Sequence, residues 1–516
     1  MSIQFGKVCS LILREHFGEI VGKVGTDLYK WGQKPLMSVV SSTKLSVEKV
    51  RQSLCILVQY GLATFSAGRS DRIAEYSLLP EKVFSLLRYP RYLYLIKTKF
   101  GVEAEMLMEE FLKAGFGSAS RIIIRAATRL KEKKELEDAS TNFPLLRDKF
   151  VSLVNKQYLM RCPAPEKTED GKPSLIPKLT VAENQLYLPP TLNIKALTIL
   201  DEGNPADAGD EGVYWRINFD RFHQDFRDQI MVTAISRRID ENGGEIIRLL
   251  LQLMYIRTEA WAQISNPIPF TELRDTLRKQ DPQSPILQHL DQYLKVIEED
   301  SSGFITRVGD SGGGQYCINM RKSFEALAWN CVENIIVERF GSKAARIFRL
   351  VKDRKFIEQE KIQQIAMIPA REAKQLTYRL LQENFLQIQE LRKSMAQNAG
   401  PNKSFFLFHV DLEEVARMVL DFSYKALYNA TTRRELESEE NRRLIEKKNK
   451  VDSIAANMRL QGAAQEQLDE IEEMMAPAEV ELFTKVMNRV QKLSEAELHL
   501  EQTIFLMQLF LNYSTK

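Results

Sequence analysis

The feature that most constrains the fold of this 516-residue chain is a pattern that occurs four times along it. In each copy an amphipathic helical segment ends in apolar residues, a short polar step follows, and an apolar extended segment begins. A helix that leads directly into a strand is typical of a winged helix, in which three helices precede a β-hairpin. The apolar helix ends of the four copies are Leu57 and Val58, Leu153 and Val154, Leu294 and Ile297, and Leu380 and Leu381.

The first copy contains a signal for each part of such a domain. Apolar residues at helical spacing over 8–24 predict a first helix, and Pro35 opens a short second helix. Ser46 is a suitable N-cap for a third helix over 47–58. An apolar segment around Phe65 then begins a strand, and a polar, glycine-containing turn separates it from a second apolar segment.

Four such copies predict a mainly α-helical chain of four tandem, extended winged helices with small β-hairpin wings, followed by a C-terminal antiparallel coiled-coil hairpin. Two segments rich in proline, glycine and acidic residues, 162–173 and 200–212, are predicted to be disordered loops. The predicted domains are winged helix 1 at 1–85, winged helix 2 with a disordered insertion at 86–190, an acidic linker at 191–213, winged helix 3 at 214–322, winged helix 4 at 323–412 and the hairpin at 413–516.

The hairpin is predicted from composition and periodicity. From about Thr431 the sequence is rich in Glu, Lys, Arg, Leu and Gln, and Pro477 is expected to end one helix and allow an antiparallel return. Beyond Pro477, apolar residues alternate at spacings of three and four, which is the repeat of a coiled coil. Such a hairpin either buries its own seam or docks on a partner. The predicted seam is Phe483, Val486, Val490, Leu493, Leu500, Ile504, Met507 and Leu511.

The net charge of +3 conceals an uneven distribution. Residues 1–160 hold 25 lysines and arginines against 16 aspartates and glutamates, which leaves 47 against 53 in the remainder. A basic N-terminal part suits a surface that faces nucleic acid, because neutralising phosphates supplies most sequence-independent affinity. An ordinary solvated surface is the alternative reading of the same charges.

Catalytic and metal-binding classes find no support in the sequence. The five cysteines and five histidines are dispersed without a CxxC or HExxH pair, which suits a reducing compartment and argues against a zinc site. The three glycines at 312–314 lack the following Lys-Ser/Thr of a phosphate-binding loop, and no hydrolase or kinase motif occurs. The N-terminus lacks the features of a secretory signal, and no apolar run is long enough for a membrane helix.

Several long segments resemble one protein family. They are Cys9 to Val21, Leu54 to Gln59, Leu87 to Tyr94, Tyr214 to Phe222, and Gly243 to Ile246. The sequence closely resembles the third-largest subunit of eukaryotic RNA polymerase III, a family related to the alpha subunit of the general factor TFIIE. The resemblance covers essentially the whole chain and differs mainly in the linkers around 165–175 and 200–212.

The resemblance implies a function in transcription initiation. Family members form a detachable trimer with two other specific subunits, lie on the clamp side of the polymerase core, and help to open promoters of small RNA genes such as those for tRNA and 5S rRNA. The catalytic magnesium site belongs to the largest subunits, so this chain is expected to be a non-catalytic nuclear subunit without a cofactor, metal, small-molecule ligand or membrane contact. Contact with DNA is expected to be largely independent of sequence.

The basic residues of winged helix 1 are the candidates for that contact. They lie around its third helix and at its wing, and they are Lys44, Lys49, Arg51, Arg69 and Arg72. The same residues could instead face an acidic surface of the clamp.

Two other classes of function remain open at this point. One is a free-standing winged-helix regulator, which would need base-reading side chains on its third helix. The other is a winged-helix scaffold subunit of another large assembly, a class that usually carries a long helical-repeat array before the wing. No such array is evident in the sequence, and winged helices serve in both roles.

Overall fold

In the computed structural model, one order of elements occurs four times: two helices, a short strand or bridge, two more helices and two further strands. The structure describes residues 2–68, 72–133, 143–165, 176–280, 282–283, 285–392, 404–460 and 474–515. The chain divides into two compact units, Met1–Gln229 and Ile230–Lys516.

Winged helix 1 buries one face of each of its helices around a shared apolar core. Both short outer strands of its sheet pair antiparallel with the last strand. Val24, Val39 and Leu57 are fully buried where the helices meet. The elements are α1 (Ile3–Phe17), α2 (Glu19–Trp31), β1 (Lys34–Pro35), α3 (Leu36–Thr43), α4 (Val47–Gln59), β2 (Ala63–Ala67) and β3 (Ala74–Leu78).

The first predicted helix, over 8–24, is two helices rather than one. Gly18 separates α1 from α2 with φ 87° and ψ 174°, and its N–H donates to the Arg14 carbonyl oxygen at 3.0 Å. Periodicity alone missed this corner because the apolar residues on both sides of it keep helical spacing.

Winged helix 2 has the same order of elements, with its last strand far along the chain. Helix α5 (Pro80–Phe84) follows the last strand of winged helix 1 and packs on α1, where Phe84 meets Phe5. The elements of winged helix 2 are α6 (Tyr89–Phe100), α7 (Val102–Ala114), β4 (Phe116–Gly117), α8 (Ala119–Lys133), α9 (Phe143–Asn155), β5 (Leu159–Arg161), β6 (Ala164–Pro165), β7 (Leu179–Thr180), α10 (Ile194–Asp201) and β8 (Trp215–Ile217). Strand β8 lies between β4 and β5 and pairs antiparallel with both.

This pairing corrects the predicted start of winged helix 3 at residue 214. Trp215 is fully buried, and its ring meets Phe150 edge-on at 5.5 Å between centroids. The strand 215–217 therefore completes the sheet of winged helix 2. Composition could not reveal this, because the two paired strands are separated by more than fifty residues.

The segment 200–212 is also not a disordered loop. Asp210 is buried, and its carboxylate accepts a hydrogen bond from the Ser120 N–H at 2.7 Å. Ala208 is buried nearby, and its carbonyl accepts from the Asn193 N–H. The acidic linker predicted at 191–213 is thus packed against winged helix 2. Of the other predicted loop, 162–173, residues 166–173 lie outside the described residues.

Winged helix 3 begins on a helix, α11, that runs across the division between the two units. Strand order is β10-β11-β9, and the turn between β10 and β11 contains Gly312, Gly313 and Gly314 at positive φ, as predicted for a tight hairpin. The elements are α11 (Phe219–Arg238), α12 (Glu241–Arg257), β9 (Ile268–Pro269), α13 (Phe270–Gln280), α14 (Ile286–Glu299), β10 (Ile305–Gly309) and β11 (Gln315–Ile318).

Winged helix 4 repeats the order with an isolated bridge, Ile357 to Phe408, in place of the first strand. The remaining predicted domain boundaries, at 85, 322 and 412, stay predictions. The elements are α15 (Met320–Phe340), α16 (Ser342–Arg354), α17 (Gln359–Ala366), α18 (Ala370–Gln382), β12 (Gln387–Arg392) and β13 (Ser404–His409).

The C-terminal helices are α19 (Leu412–Glu440), α20 (Arg442–Leu460) and α21 (Pro477–Thr515). Helix α21 runs antiparallel to α19 and α20. Cross-helix contacts join Gln508 to the Tyr424 hydroxyl at 3.0 Å, and Arg434 to Glu497 at 2.8 Å. The end of α21 also packs on α15, where Tyr513 stacks on Phe324 at 5.5 Å. The hairpin therefore buries part of its length against winged helix 4 as well as against itself.

Candidate nucleic-acid interface

Helix α4 occupies the third-helix position of winged helix 1 and carries two of the predicted DNA-contact residues. Its buried face is formed by Val50, Leu54 and Leu57. Lys49 and Arg51 are both exposed. Because they are two residues apart, their side chains leave the helix about 200° apart, on opposite flanks.

The outermost face of α4, between these flanks, is not basic. It presents Glu48, Gln52, Cys55 and Gln59, all exposed. An acidic residue in this position does not favour the close approach of phosphates. Of these four side chains, Gln52 is the one suited to reading base edges, because the Gln59 amide already donates to the Ala114 carbonyl. Two basic flanks can instead reach the two phosphate backbones that border a groove about 12 Å wide.

The other predicted residues lie at the ends of neighbouring elements. Lys44 is exposed and ends α3 in the left-handed conformation, with φ 55°. Arg72 is exposed two residues before β3, in the wing. Arg69 lies outside the described residues. Within the described parts of the chain, Lys44, Lys49 and Arg51 form no ion pair with a carboxylate.

Sequence reasoning passed over a second exposed basic stripe, on α8 of winged helix 2. Arg121 and Arg125 are exposed and one helical turn apart, so they lie on the same face. Arg129, one turn further, is instead bound to Glu109 and Glu110, at 2.9 Å from each. The spacing of four between these arginines was the signal available in the sequence.

The titratable groups most affected by burial are structural. The His223 ring forms a hydrogen bond of 2.8 Å with the Tyr92 hydroxyl. Burial lowers the pKa of His223 to about 3, and the charges of Arg88 and Arg91 act in the same direction. The aromatic rings packed around Tyr92 include those of Phe219 and Phe222 on α11. Segments 87–94 and 214–222, which carry much of the family resemblance, therefore meet in one buried joint.

The Cys9 and Cys162 thiols and the possible metal ligands are candidates for chemistry in the described part of the chain. Burial raises the pKa of the Cys9 thiol to about 12 and that of Cys162 to about 11, so both are protonated at neutral pH. Among the described residues no three His, Cys, Asp or Glu side chains are grouped to hold a metal ion.

No described helix is both long enough and apolar enough to cross a bilayer.

The predicted seam of the hairpin lies on α21. Val486, Ile504 and Met507 are buried. Phe483, Val490, Leu493, Leu500 and Leu511 are half-buried. Near the end of the helix Phe505, Leu509 and Phe510 are buried too, where α21 packs on more than one helix.

Comparisons with known proteins decide the family. Family models match at four places: the helix-turn-helix domain of RNA polymerase III subunit RPC82 at 7–68, RNA polymerase III subunit RPC82 at 148–327, the C-terminal winged-helix domain of POLR3C at 332–410, and the helical hairpin domain of DNA-directed RNA polymerase III subunit RPC3 at 443–506. The chain is 37% identical to DNA-directed RNA polymerase III subunit RPC3 of Bos taurus over 99% of both sequences. It belongs to the RPC3 family.

Further relatives carry the same name. The human RPC3 is 37% identical over 99% of this chain and 98% of its own length, and that of Danio rerio is 34% identical over 99% of both. The chain thus belongs to a family of RNA polymerase III subunits, as the resemblance implied. The prediction of winged helices followed by a helical hairpin is confirmed by the matched RPC3 domains together with the observed elements. The RPC3 relatives are named as a component of the polymerase and not as its catalytic subunit.

Proposed function

We propose that this RPC3-family chain is a nuclear, non-catalytic initiation subunit that contacts promoter DNA through winged helix 1 while other surfaces hold it to the polymerase. In this proposal it forms a subcomplex with two other subunits on the clamp of the largest subunit and supports promoter opening at small RNA genes. The observation that carries the DNA contact is the set of exposed cations around α4 and its wing.

The placement of those cations favours backbone contact over base reading. Lys49 and Arg51 lie on opposite flanks of α4, with Glu48 on the face between them. Phosphate contacts fix the position of a protein on a duplex without reading its sequence. A subunit that acts at many promoters needs a contact of this sequence-tolerant kind.

A variant with Lys49, Arg51, Arg69 and Arg72 replaced by Glu tests the proposal. We expect weaker binding of the full chain to duplex and to premelted DNA, equally for unrelated sequences. Each lost phosphate contact should also flatten the slope of log affinity against log salt by about 0.7 to 0.9, because fewer counterions are released. Fluorescence anisotropy at several salt concentrations measures both quantities.

A matched control carries the same change of charge elsewhere in the N-terminal unit. Lys7, Lys156, Lys178 and Lys195 are exposed, and their replacement by Glu should alter the slope much less. Copurification of polymerase III core subunits with each tagged variant is measured in parallel. If the α4 variant keeps its DNA affinity and slope but loses the polymerase core, the surface is a docking surface and the DNA assignment is wrong.

A further inference from the structure

A cavity of about 290 Å³ lies in the N-terminal unit where winged helices 1 and 2 meet. Its walls come from the end of α4, the end of α7 and the sheet of winged helix 2, and they are largely apolar, with Tyr60, Phe111 and Met160 among them. Its size is near the lower end of the range of about 300–1,000 Å³ for ligand-binding clefts.

The walls of this cavity are fixed by direct contacts between the two winged helices. The Gln59 side-chain amide donates to the Ala114 carbonyl at 2.9 Å, and the Tyr60 hydroxyl donates to the Lys113 carbonyl at 2.6 Å. Gly115 approaches so closely that an added Cβ would lie 2.8 Å from the Gln59 carbonyl oxygen. The cavity is therefore preformed by the packing of the two winged helices, so a ligand would lose little free energy in ordering its walls.

Two aromatic side chains belong to the cavity lining and remain partly open to solvent. Phe116 is 41% exposed and Tyr214 is 48% exposed, and their rings meet edge-on at 5.7 Å between centroids. Leu179, also in the lining, is 44% exposed. Large apolar side chains exposed together around a cleft are typical of a surface that another molecule covers.

Two of the three charged side chains in the described lining are cationic. Lys82 and Arg216 both contribute, and Asp220 is the one carboxylate among the lining residues. The Arg216 Nε atom is buried and has no hydrogen-bond partner among the described residues. Burial and the nearby Arg216 charge lower the pKa of the Lys82 amine, with Asp220 acting in the opposite direction.

This charge arrangement has a direct consequence for what the cavity accepts. A buried donor without a partner is unfavourable, and two neighbouring cations with one carboxylate leave a positive excess. A ligand that brings a carboxylate to Arg216 and Lys82 would satisfy the donor and balance the charge, while its apolar part covers Phe116 and Tyr214.

Nucleic acid fits this cleft poorly. A single strand needs a continuous positive groove with ring faces available for stacking. Here two cations lie beside a carboxylate within an apolar lining, and the two partly exposed rings meet edge-on. A largely apolar lining with a few charged groups is better suited to a polypeptide segment that carries both apolar and acidic side chains.

We propose that this cleft binds a segment of another polypeptide in which a large apolar side chain lies within one or two residues of a carboxylate. The carboxylate pairs with Arg216 and Lys82, and the apolar side chain enters the cavity lined by Tyr60 and Phe111. The inference rests on the proposed role of the chain as a subunit that docks other polypeptides, and it names the chemistry of one such contact.

A random dodecapeptide library displayed on phage tests the proposal against the purified full-length chain. We expect selected peptides to share an aromatic or large aliphatic residue next to Asp or Glu. For a selected peptide, Arg216→Gln should raise the Kd by about tenfold or more, because it removes a charge-assisted hydrogen bond to the peptide carboxylate in a partly buried site. Lys82→Gln should act in the same direction.

Two controls separate the cleft from general charge and from loss of folding. Lys156→Gln removes an exposed cation of the same unit and should leave the Kd unchanged. Lys82→Arg keeps the charge and should retain most of the binding, which a merely misfolded joint would not allow. Circular dichroism confirms that each variant is folded.

Three results would overturn the proposal. One is that the selected peptides do not combine an apolar residue with Asp or Glu, or that neither Arg216→Gln nor Lys82→Gln changes their Kd. Another is competition by an oligothymidine strand that also depends on Arg216, which would make the cleft a nucleic-acid groove. The last is a gain of peptide affinity on deleting the acidic segment 166–175, which would assign the cleft to the chain itself. None of these results would affect DNA binding by Lys49 and Arg51, so the two proposals fail separately.

Discussion

At the scale of single residues, the same glycine corner occurs in three of the four winged helices. Gly18, Gly101 and Gly341 each follow a phenylalanine, and each lies between two helices with φ of 85–92° and ψ within about 10° of 180°. This region of backbone conformation is essentially restricted to glycine. Each corner fixes the angle between the first two helices of its domain.

We expect Gly341→Ala to destabilise winged helix 4 by about 1–3 kcal/mol, the cost of holding a residue with a Cβ in this conformation. An added Cβ would meet no atom within 4 Å, so the effect is one of backbone strain and not of collision. Hydrogen-exchange protection of α15 and α16 measures it locally. Ser342→Ala, at the exposed next residue, is the control and should change protection little.

His223 gives the joint of winged helix 2 a dependence on pH. Because its pKa is lowered to about 3 by burial and by Arg88 and Arg91, it stays neutral in the folded state where an unfolded histidine would bind a proton. The unfolded state thus binds more protons between about pH 6.5 and pH 3. The free energy of unfolding therefore falls as the pH decreases through this window.

Replacing His223 with Gln should flatten that decline between about pH 6.5 and pH 4, measured by hydrogen exchange in α6 and the start of α11. Burial raises the pKa of Asp228, which acts in the opposite sense, so the comparison with the wild type isolates the histidine. The exposed His16→Gln variant, which removes a histidine from winged helix 1, is the control. An unchanged slope in the His223 variant would show that its protonation is not what loosens the joint.

At the scale of elements, α21 has two different environments along one helix. In its first half the seam residues are mostly half-buried, and Glu497 at a seam spacing is neutralised by Arg434 from α19. In its second half Ile504 and Met507 are buried together with Phe510, where α15 joins α19 in covering the helix. A two-helix seam thus becomes a three-helix core.

Ile504→Asp should destabilise the packing of α21 by about 3–5 kcal/mol, because it removes a fully buried side chain and buries an unpaired carboxylate. Leu493→Asp, at a half-buried seam position, should have a smaller effect of the same kind. Leu498→Asp, 44% exposed on the same helix, is the matched control. Thermal melting followed by circular dichroism distinguishes them, and equal melting of all three variants would count against the assigned seam.

At the scale of the whole molecule, the chain is a series of small domains, each with its own core, that present surfaces for binding. The groups whose pKa is most strongly shifted by burial include the Cys9 thiol, the Tyr89 hydroxyl and the His223 ring, which serve packing. The exposed cations of winged helix 1 and the cleft beside Arg216 are the surfaces that we propose bind DNA and a polypeptide segment.

We therefore expect the purified chain to show no nucleotidyl-transfer and no phosphate-hydrolysis activity. Incubation with nucleoside triphosphates, Mg²⁺ and a primed template, followed by product analysis, measures both. Activity that stays with the chain through further purification and disappears on a single substitution would contradict this expectation.

The sequence by itself determined the repeated units and the family. Apolar residues at helical spacing that end at Leu57 or Leu380 and lead into a strand can be recognised from neighbouring residues alone, because each winged helix forms its own core. The seam of α21 follows from a spacing of three and four for the same reason. The basic excess in 1–160 likewise directed attention to winged helix 1.

Only the tertiary structure decided where distant segments meet. The strand that contains Trp215 pairs with β5, although composition predicted a loop in the acidic segment between them. The burial of Trp215 and the pairing of its strand outweigh the polarity of that segment. The flanking positions of Lys49 and Arg51 depend on which face of α4 is buried. The cleft beside Arg216 exists only because winged helices 1 and 2 dock through the Gln59 side-chain amide and the close approach of Gly115 to the Gln59 carbonyl, and no local pattern encodes a contact between surfaces.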